Sequence, residues 1–139
     1  MFSQTAEYAL RAVVAIAGDP DVPRTGRAIA EESQVPLDYL AKVLNTLVRA
    51  GLVHAQRGRR GGFTLALPAD RISVLDVVNA VDPIRRIRTC PLGWEQHADN
   101  MCPLHRKLDH ALSLMENAFA ETTIASLCGE PSKEADHAA

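Results

Sequence analysis

Hydrophobic residues recur every three or four positions near the start of the chain. Phe2, Ala6 and Leu10 follow this spacing, which predicts an amphipathic helix over residues 2–17. The Gly-Asp-Pro sequence at 18–20 ends this helix, because glycine and proline both interrupt helices. The first predicted element is therefore a helix with one buried face.

Two further helices are predicted in quick succession. Thr25 is suited to cap a short second helix, residues 33–35 form a turn, and a third helix spans about 36–50, before Gly51. The apolar stripe of the third helix consists of Leu37, Leu40, Val43, Leu44, Leu47 and Val48. Two helices joined by a tight turn are typical of a helix-turn-helix, whose second helix enters the major groove of DNA.

A short, basic hairpin follows the third helix. Residues 52–55 and 63–67 are strand candidates, and the sequence Gln-Arg-Gly-Arg-Arg-Gly-Gly at 56–62 lies between them. Glycines let a backbone approach a duplex closely, and arginines neutralise phosphates or enter a narrow minor groove. The hairpin is therefore the candidate wing of a winged helix-turn-helix domain.

The remainder of the chain contains two more predicted helices, over residues 74–81 and 103–123. The expected fold is mainly α with a small β-wing. Its predicted parts are a winged helix-turn-helix DNA-binding domain (1–83), an irregular cysteine-containing loop (84–102), a long C-terminal helix (103–125) and a flexible tail (126–139).

The charge is distributed unevenly. The chain has 15 basic and 17 acidic residues, yet residues 39–69 contain five basic residues and no acidic one. A local basic face of this kind is enough to bind nucleic acid. The sequence has no long apolar span and no basic leader, so we expect a cytoplasmic protein without a membrane partner. Motifs typical of enzymes, such as a phosphate-binding glycine loop or a nucleophile elbow, are absent from the sequence.

The candidate DNA contacts lie on the third helix and at the hairpin tip. They are Pro36, Leu37, Asp38, Tyr39, Lys42 and Asn45 in the helix, and Arg57, Gly58, Arg59, Arg60 and Gly61 in the tip. A basic, glycine-rich turn is often only a solvated loop. The alternative is therefore a winged-helix protein-interaction module, which would show no salt-dependent binding to a duplex.

Three sequence runs together resemble the IscR and NsrR regulators of the Rrf-two family. They are Tyr-Leu-Ala-Lys-Val-Leu at 39–44, Leu-Val-Arg-Ala-Gly-Leu-Val at 47–53 and Arg-Gly-Arg-Arg-Gly-Gly-Phe at 57–63. The resemblance extends from residue 2 to about residue 125. It implies a homodimeric transcription regulator that binds a pseudo-palindromic operator in double-stranded DNA; many members of the family are repressors, and some also activate. It also implies dimerisation through the long C-terminal helix.

The sequence departs from this family at two places in the DNA-binding domain. Ala6 and Glu7 stand where members often carry basic residues, so one phosphate contact is missing. Ala41 stands where some iron–sulfur members have an acidic residue that reads a base. The operator sequence is therefore left open.

The resemblance also suggests ligands for a 2Fe-2S cluster in the sensor loop, residues 84–102. Iron–sulfur members have three cysteines in a Cys-x5-Cys-x5-Cys pattern; Cys90 and Cys102 match the outer two, but Gln96 replaces the middle one. His97 is next to it, and the Cys-x2-His ending places His105 after Cys102. The candidate ligands are Cys90, His97, Cys102 and His105.

Other readings of these residues remain open. Two thiols and two imidazoles also suit tetrahedral zinc. Without a metal, Cys90 and Cys102 could form a reversible disulfide, favoured by the nearby Arg85, Arg86 and Arg88. A small organic effector, or residues that are simply packed, are further possibilities. An odd count of three cysteines makes a structural disulfide framework unexpected.

Overall fold

The computed structural model describes residues 2–85, 92–93 and 102–129. Its elements in chain order are α1 (Gln4–Ala17), α2 (Gly26–Ser33), α3 (Leu37–Arg49), β1 (Val53–Gln56), β2 (Gly62–Leu65), a 3-10 turn (Ala69–Arg71), α4 (Val74–Val81), α5 (Pro103–Glu121) and α6 (Ile124–Cys128). The two strands form an antiparallel hairpin. This confirms the mainly α fold with a small β-wing.

Helix α1 lies at the centre of the hydrophobic core and packs against α2, α3, α4 and α6. Its start is capped by Ser3, whose hydroxyl accepts a hydrogen bond from the amide of Ala6 at 3.1 Å. The buried face combines alanines such as Ala9 and Ala12 with Val13 and Ile16. Small side chains at this face allow the neighbouring helices to approach closely, so α1 connects all parts of the domain.

The helix-turn-helix forms much as its sequence signals predict. The Thr25 hydroxyl accepts a hydrogen bond from the amide of Ala28 at 3.1 Å and so begins α2. Gln34 takes the left-handed conformation in the turn, with φ of 57°. Gly51, with φ of 80°, ends the third helix as expected.

The apolar stripe of α3 is confirmed except at its first position. Leu40, Val43, Leu44 and Leu47 are buried. Leu37, which was assigned to the same stripe, is 45% exposed. As the first helical residue, Leu37 projects beyond the edge of the core, next to α2 and the wing.

The wing contains a third extended segment that the hydrophobic pattern did not predict. Strands β1 and β2 pair from Val53 with Leu65 to Gln56 with Gly62. Arg24, just before α2, pairs with Phe63 through two backbone hydrogen bonds of 3.1 and 2.7 Å. The hairpin is thereby attached along one edge to the start of the helix-turn-helix.

Helix α4 begins at a complete capping box. The hydroxyl of Ser73 accepts from the amide of Asp76, and the carboxylate of Asp76 accepts from the amide of Ser73, both at 3.0 Å. Val77 and Val78 then face the core. The bounds of α4 agree with the predicted helix over 74–81.

The C-terminal part differs from the prediction in one respect. Helix α5 ends at Glu121, and the short helix α6 follows, so residues 126–129, assigned to a flexible tail, belong to a helix and its cap. Ile124 is fully buried, and its amide donates to the carbonyl of Ile72 at 2.8 Å. This burial holds α6 against the winged domain. The rest of the assigned tail lies outside the described residues.

Among the described residues, no helix combines the length and the apolar character that a membrane span requires.

Candidate nucleic-acid interface

The outer face of α3 is polar and open to solvent. Asp38, Lys42, Asn45 and Arg49 are all exposed on it, opposite the buried leucines. The Arg49 guanidinium donates from Nε to the Asn45 carbonyl at 3.5 Å, one turn back. The side chains of Lys42 and Asn45 therefore point away from the core on a rigid helix. This arrangement suits contacts to base edges in a groove.

The start of α3 is also exposed. Pro36 is its N-cap residue and supplies no side-chain acceptor for the amides of the first turn. Those amides and the helix dipole favour an anion at this end. Asp38 is the acidic residue within this turn and partly offsets that preference.

Tyr39 is held by α1 instead of projecting freely. Its hydroxyl forms a short hydrogen bond with the hydroxyl of Thr5, and its ring meets Tyr8 edge-on at 5.1 Å between centroids. The Tyr8 hydroxyl in turn accepts from the side chain of Gln4 at 2.9 Å. The structure therefore links the first turn of the candidate recognition helix to the first turns of α1.

These α1 residues were not found from the sequence. Thr5 and Tyr8 lie on the less buried side of an otherwise alanine-rich helix, and their three-residue spacing is a weak signal. Their link to Tyr39 depends on how α1 crosses α3, which is a tertiary feature.

The tip of the wing requires its glycines. Gly58 has φ of 112°, a conformation that other residues rarely adopt. A Cβ added to Gly61 would lie 2.4 Å from the carbonyl oxygen of Gln56, so only glycine fits there. The tip is therefore a tight turn that a larger residue at either position would distort.

The arginines of this tip are not neutralised by the protein. Arg57, Arg59 and Arg60 are exposed, and none forms an ion pair with a carboxylate in the described part of the chain. By contrast, Arg24 at the base of the wing forms a salt bridge with Glu32. The positive charge is thus concentrated at the tip, where it can attract phosphate.

Gly26 brings the wing and the recognition helix together. A Cβ at this position would lie 3.9 Å from both Leu37 of α3 and Phe63 of β2. Arg24 and Gly26 were not among the predicted site residues, yet they fix the wing beside the start of α3. The structure therefore juxtaposes the two halves of the predicted interface.

The sequence matches the Rrf2 family, described as iron-dependent transcriptional regulators, over residues 2–130. The chain belongs to the Rrf2 family.

Two curated relatives agree with this assignment. An HTH-type transcriptional regulator of Aquifex aeolicus is 33% identical over 130 residues, which cover 91% of this chain and 90% of the relative. The HTH-type transcriptional regulator slr0846 of Synechocystis is 43% identical over 76 residues, covering 54% of this chain and 52% of the relative. Rrf2 proteins are transcription regulators and not enzymes.

Solved structures show the same winged-helix fold. CymR, the global cysteine regulator of Bacillus subtilis, superposes with a TM-score of 0.76 at 23% identity, covering 92% of this chain and 95% of CymR. IscR of T. potens superposes with a TM-score of 0.78 at 22% identity, covering 99% of this chain and 90% of IscR. At this level of identity the likeness concerns the fold.

Two of the four predicted metal ligands can be placed in this Rrf2 protein. Cys102 and His105 are both buried, and the Cys102 thiol caps α5 by accepting a hydrogen bond from the amide of His105 at 3.3 Å. Cys90 and His97 lie outside the described residues. Within the described residues, no three His, Cys, Asp or Glu side chains are grouped to hold a metal ion.

Proposed function

We propose that this Rrf2 regulator is a homodimeric repressor of the IscR/NsrR type that binds a pseudo-palindromic operator. One observation carries the DNA-binding part. Around Gly26, the exposed polar face of α3 lies beside a wing whose tip holds three arginines without carboxylate partners among the described residues. The buried face of α3 and the backbone pairing of Arg24 with Phe63 of the wing fix this arrangement in the folded domain.

The residues divide into two roles. The exposed side chains of Asp38, Lys42 and Asn45 on α3 read base edges in the major groove, and the exposed start of the helix around Pro36 and Leu37 is the part that enters the groove. Tyr39 keeps that start in place through Thr5 and Tyr8.

The wing supplies electrostatic affinity. Arg57, Arg59 and Arg60 neutralise phosphates or enter the minor groove, while Gly58 and Gly61 keep the tip narrow enough to approach the duplex. Each phosphate contact contributes to affinity but carries no sequence information.

Dimerisation is assigned to α5. Leu104, Leu108 and Leu114 are 43%, 38% and 57% exposed, and the exposed Ala111 and Ala118 lie on the same side of the helix. A partner's α5 would cover this apolar stripe and create two-fold symmetry. The two copies of α3 would then meet half-sites about 34 Å apart, one turn of DNA.

The test is the salt dependence of DNA binding. A duplex selected from a random pool by the wild-type protein is titrated at 50 to 200 mM salt with wild type and with Arg57→Ala/Arg59→Ala/Arg60→Ala. Loss of three phosphate contacts should make the slope of log K against log salt less negative by about 3, because each contact releases about 0.9 counterions. In cells, a reporter behind this operator should be derepressed by the triple variant.

Arg71→Ala is the matched control. Arg71 is an exposed arginine of the 3-10 turn, outside the proposed interface, so its loss should leave the slope unchanged. If the triple variant binds with the wild-type slope, the wing does not contact phosphates. If no duplex is selected at all, the winged-helix protein-interaction module becomes the better reading.

The signal is assigned to the sensor loop. Cys102 and His105, with Cys90 and His97, would provide the mixed thiolate and imidazole ligands of a 2Fe-2S cluster, with zinc as the alternative for the same ligands. When bound, the cluster supplies a redox-dependent charge. Because the Cys102 thiol also caps α5, a change at this sulfur alters the start of the proposed dimer helix. Burial of both side chains protects them from water.

Anaerobic purification tests the sensor, with iron, sulfide and zinc measured per chain. Iron and sulfide near two per chain, lost in Cys90→Ala/Cys102→Ala but kept in Cys128→Ala, would support the cluster. Zinc alone would favour a structural metal. A metal-free protein whose DNA binding responds to oxidation would favour a Cys90–Cys102 thiol switch.

A further inference from the structure

We infer that this Rrf2 regulator binds a free α-amino acid with an apolar side chain in a cavity between α1, α4 and α5. The cavity measures about 210 Å³. Its apolar lining includes Phe2, Ala6, Val78, Leu112, Met115 and Phe119. The inference rests on the proposed function, to which it adds an effector.

The size of the cavity limits the class of ligand. Pockets for drug-sized ligands usually measure about 300–1,000 Å³. A cavity of 210 Å³ is smaller and suits a molecule with one short apolar group. Ala6 and Val78 are buried, so the floor of the cavity belongs to the protein core, while its other side is open to solvent.

The rim carries one charge of each sign. Asp82 and Arg85 line the cavity and are exposed, so they lie on its open side. Neither forms an ion pair within the described part of the chain. A carboxylate and a guanidinium beside an apolar interior match the ammonium, the carboxylate and the side chain of an α-amino acid.

The charged rim belongs to an ordered turn. The side-chain oxygen of Asn79 accepts a hydrogen bond from the amide of Ile84 at 3.1 Å, and the amide of Asp82 donates to the carbonyl of Val78 at 2.7 Å. These bonds hold the chain after α4 against its own helix. Asp82 therefore lies on a fixed segment, and Arg85 follows directly after its last hydrogen-bonded residue, Ile84.

The wall of the cavity is connected to the DNA-binding surface. Phe2 stacks on Phe119 of α5 with ring centroids 5.0 Å apart, and both rings line the cavity. Three residues further on, Thr5 bonds the hydroxyl of Tyr39 at the start of α3. A ligand that moves the first turn of α1 would therefore also move the recognition helix.

The cavity borders the proposed dimer face. Leu112 and Phe119 lie on the side of α5 that faces α4 and α1, whereas the exposed Leu104 and Leu114 lie farther round the helix. Leu108, one turn before Leu112, lies between the two surfaces. The ligand and a partner's α5 would therefore occupy neighbouring surfaces, and the dimer dissociation constant is measured alongside ligand binding.

Thermal unfolding with L-leucine, L-methionine and L-phenylalanine tests the inference. At ten times its Kd, the ligand should raise Tm by about 4 °C. Two probes of matched shape each lack one charge: L-leucinol has no carboxylate, and 4-methylpentanoate has no ammonium. We expect at least a tenfold weaker effect from each, and none from glycine at equal concentration.

Charge-neutral variants locate the binding site. Asp82→Asn and Arg85→Gln should each weaken the Tm response at least tenfold. The matched surface variants Asp70→Asn and Arg71→Gln, which lie in the 3-10 turn outside the cavity, should keep it. If 4-methylpentanoate acts as well as leucine, or if Asp82→Asn and Arg85→Gln respond as wild type does, the amino-acid site is overturned.

Operator binding is measured on the same preparations, so that failure of the two proposals can be told apart. A protein that binds its operator but shows no Tm response to any of the twenty amino acids at 20 mM overturns the effector site and leaves the DNA-binding proposal intact. If Asp82→Asn and Arg85→Gln change only the dimer dissociation constant, the cavity belongs to an interface and the inference also fails.

The route to α3 has its own test. Thr5→Val removes the hydroxyl that bonds Tyr39 without removing any residue of the cavity lining. This variant should keep the Tm response to the amino acid, while the ratio of operator Kd with and without ligand moves towards one. If ligand changes the operator Kd by the same factor in Thr5→Val as in wild type, the signal reaches α3 by another route.

Discussion

Helices α3 and α5 are both amphipathic, yet they expose opposite chemistry. Helix α3 buries four aliphatic side chains and presents polar and charged residues such as Lys42 and Asn45 to solvent. Helix α5, with 19 residues, buries only His105 fully and exposes three leucines. An exposed polar face is stable in water, whereas a row of exposed leucines on a long helix marks a protein interface.

The two outer faces therefore suit two different partners, DNA for α3 and a second protein surface for α5. The outer face of α3 can remain in water until DNA displaces the water from it. The outer face of α5 gains free energy as soon as a second apolar surface covers it. We therefore expect the dimer to be present before DNA is bound, with the recognition helices already paired.

Placing charge on the α5 stripe should have the largest effect. Leu108→Glu/Leu114→Glu removes two leucines from the proposed dimer core and adds buried charge. Each buried leucine contributes about 1.5–3 kcal/mol to the free energy of dimerisation, so the dimer dissociation constant of the double variant should rise by at least about 100-fold. Sedimentation velocity over a range of protein concentrations measures this change.

Leu67→Glu is the control for that variant. Leu67 is 43% exposed but lies after the wing, away from α5, so its replacement should leave the dimer intact. A double variant that still sediments as a dimer would show that the α5 stripe is not the interface. The exposed leucines of α5 would then not distinguish a protein-binding face from the DNA-binding face of α3.

On α3, the corresponding large effect should come from the buried side. Leu44→Ala removes a core side chain that is 2% exposed and should lower the free energy of unfolding by about 2–5 kcal/mol. Urea unfolding measures it. Because the loss occurs within one subunit, the change should appear equally at all protein concentrations. A concentration-dependent loss would instead connect Leu44 to dimer formation.

The exposed side of α3 should affect DNA binding and not stability. Lys42→Ala removes an exposed cation from the proposed groove face, and operator affinity should fall by about tenfold, as for one base or phosphate contact. Fluorescence anisotropy with the selected duplex measures the affinity, and Tm should not change. Lys107→Ala, an exposed lysine on α5, serves as the control. Equal losses from both lysines would indicate only a general effect of net charge.

The smallest expected effect concerns α6, which joins the end of α5 to the core. Partial burial raises the pKa of the Cys128 thiol, because burial disfavours the thiolate. Below the ordinary thiol pKa the folded protein keeps its full stability, and part of it is lost as pH rises through the higher folded pKa. Cys128→Ala should reduce the alkaline decline in Tm. Identical Tm profiles over pH 7–10 would show that Cys128 does not contribute.

The fold was predictable where the pattern of the sequence is local and repeated. Helix α3 combines a sustained apolar period with Gly51 at its end, and α4 begins at a Ser-x-x-Asp capping box. Helix α6 was missed because its five residues form little more than one turn, too few to show a period. Its position depends on Ile124 entering the core of a domain that begins over a hundred residues earlier.

The site was predictable in part for the same reason. The polar face of α3 and the arginines of the wing tip follow from periodicity and composition. The pairing of Arg24 with Phe63 is a single bridge between residues some forty positions apart. The sequence around Arg24 lacks the alternation of apolar and polar residues that would predict a strand. The bond between Thr5 and Tyr39 likewise depends on where two helices cross. Sequence patterns identify faces, but they do not show which faces meet.

The winged domain includes residues from the end of the described chain, because α6 packs back onto it. The amide of Val74 donates to the carbonyl of Thr122, and that of Ile124 donates to the carbonyl of Ile72, both at 2.8 Å. The winged domain is thus completed only by residues that follow α5. A fragment that stopped after α4 would lose both bonds and the buried side chain of Ile124, so its free energy of unfolding should be lower than that of the full chain. Because closure entropy grows slowly with loop length, the long separation in sequence between Ile72 and Ile124 adds little to the cost of bringing them together.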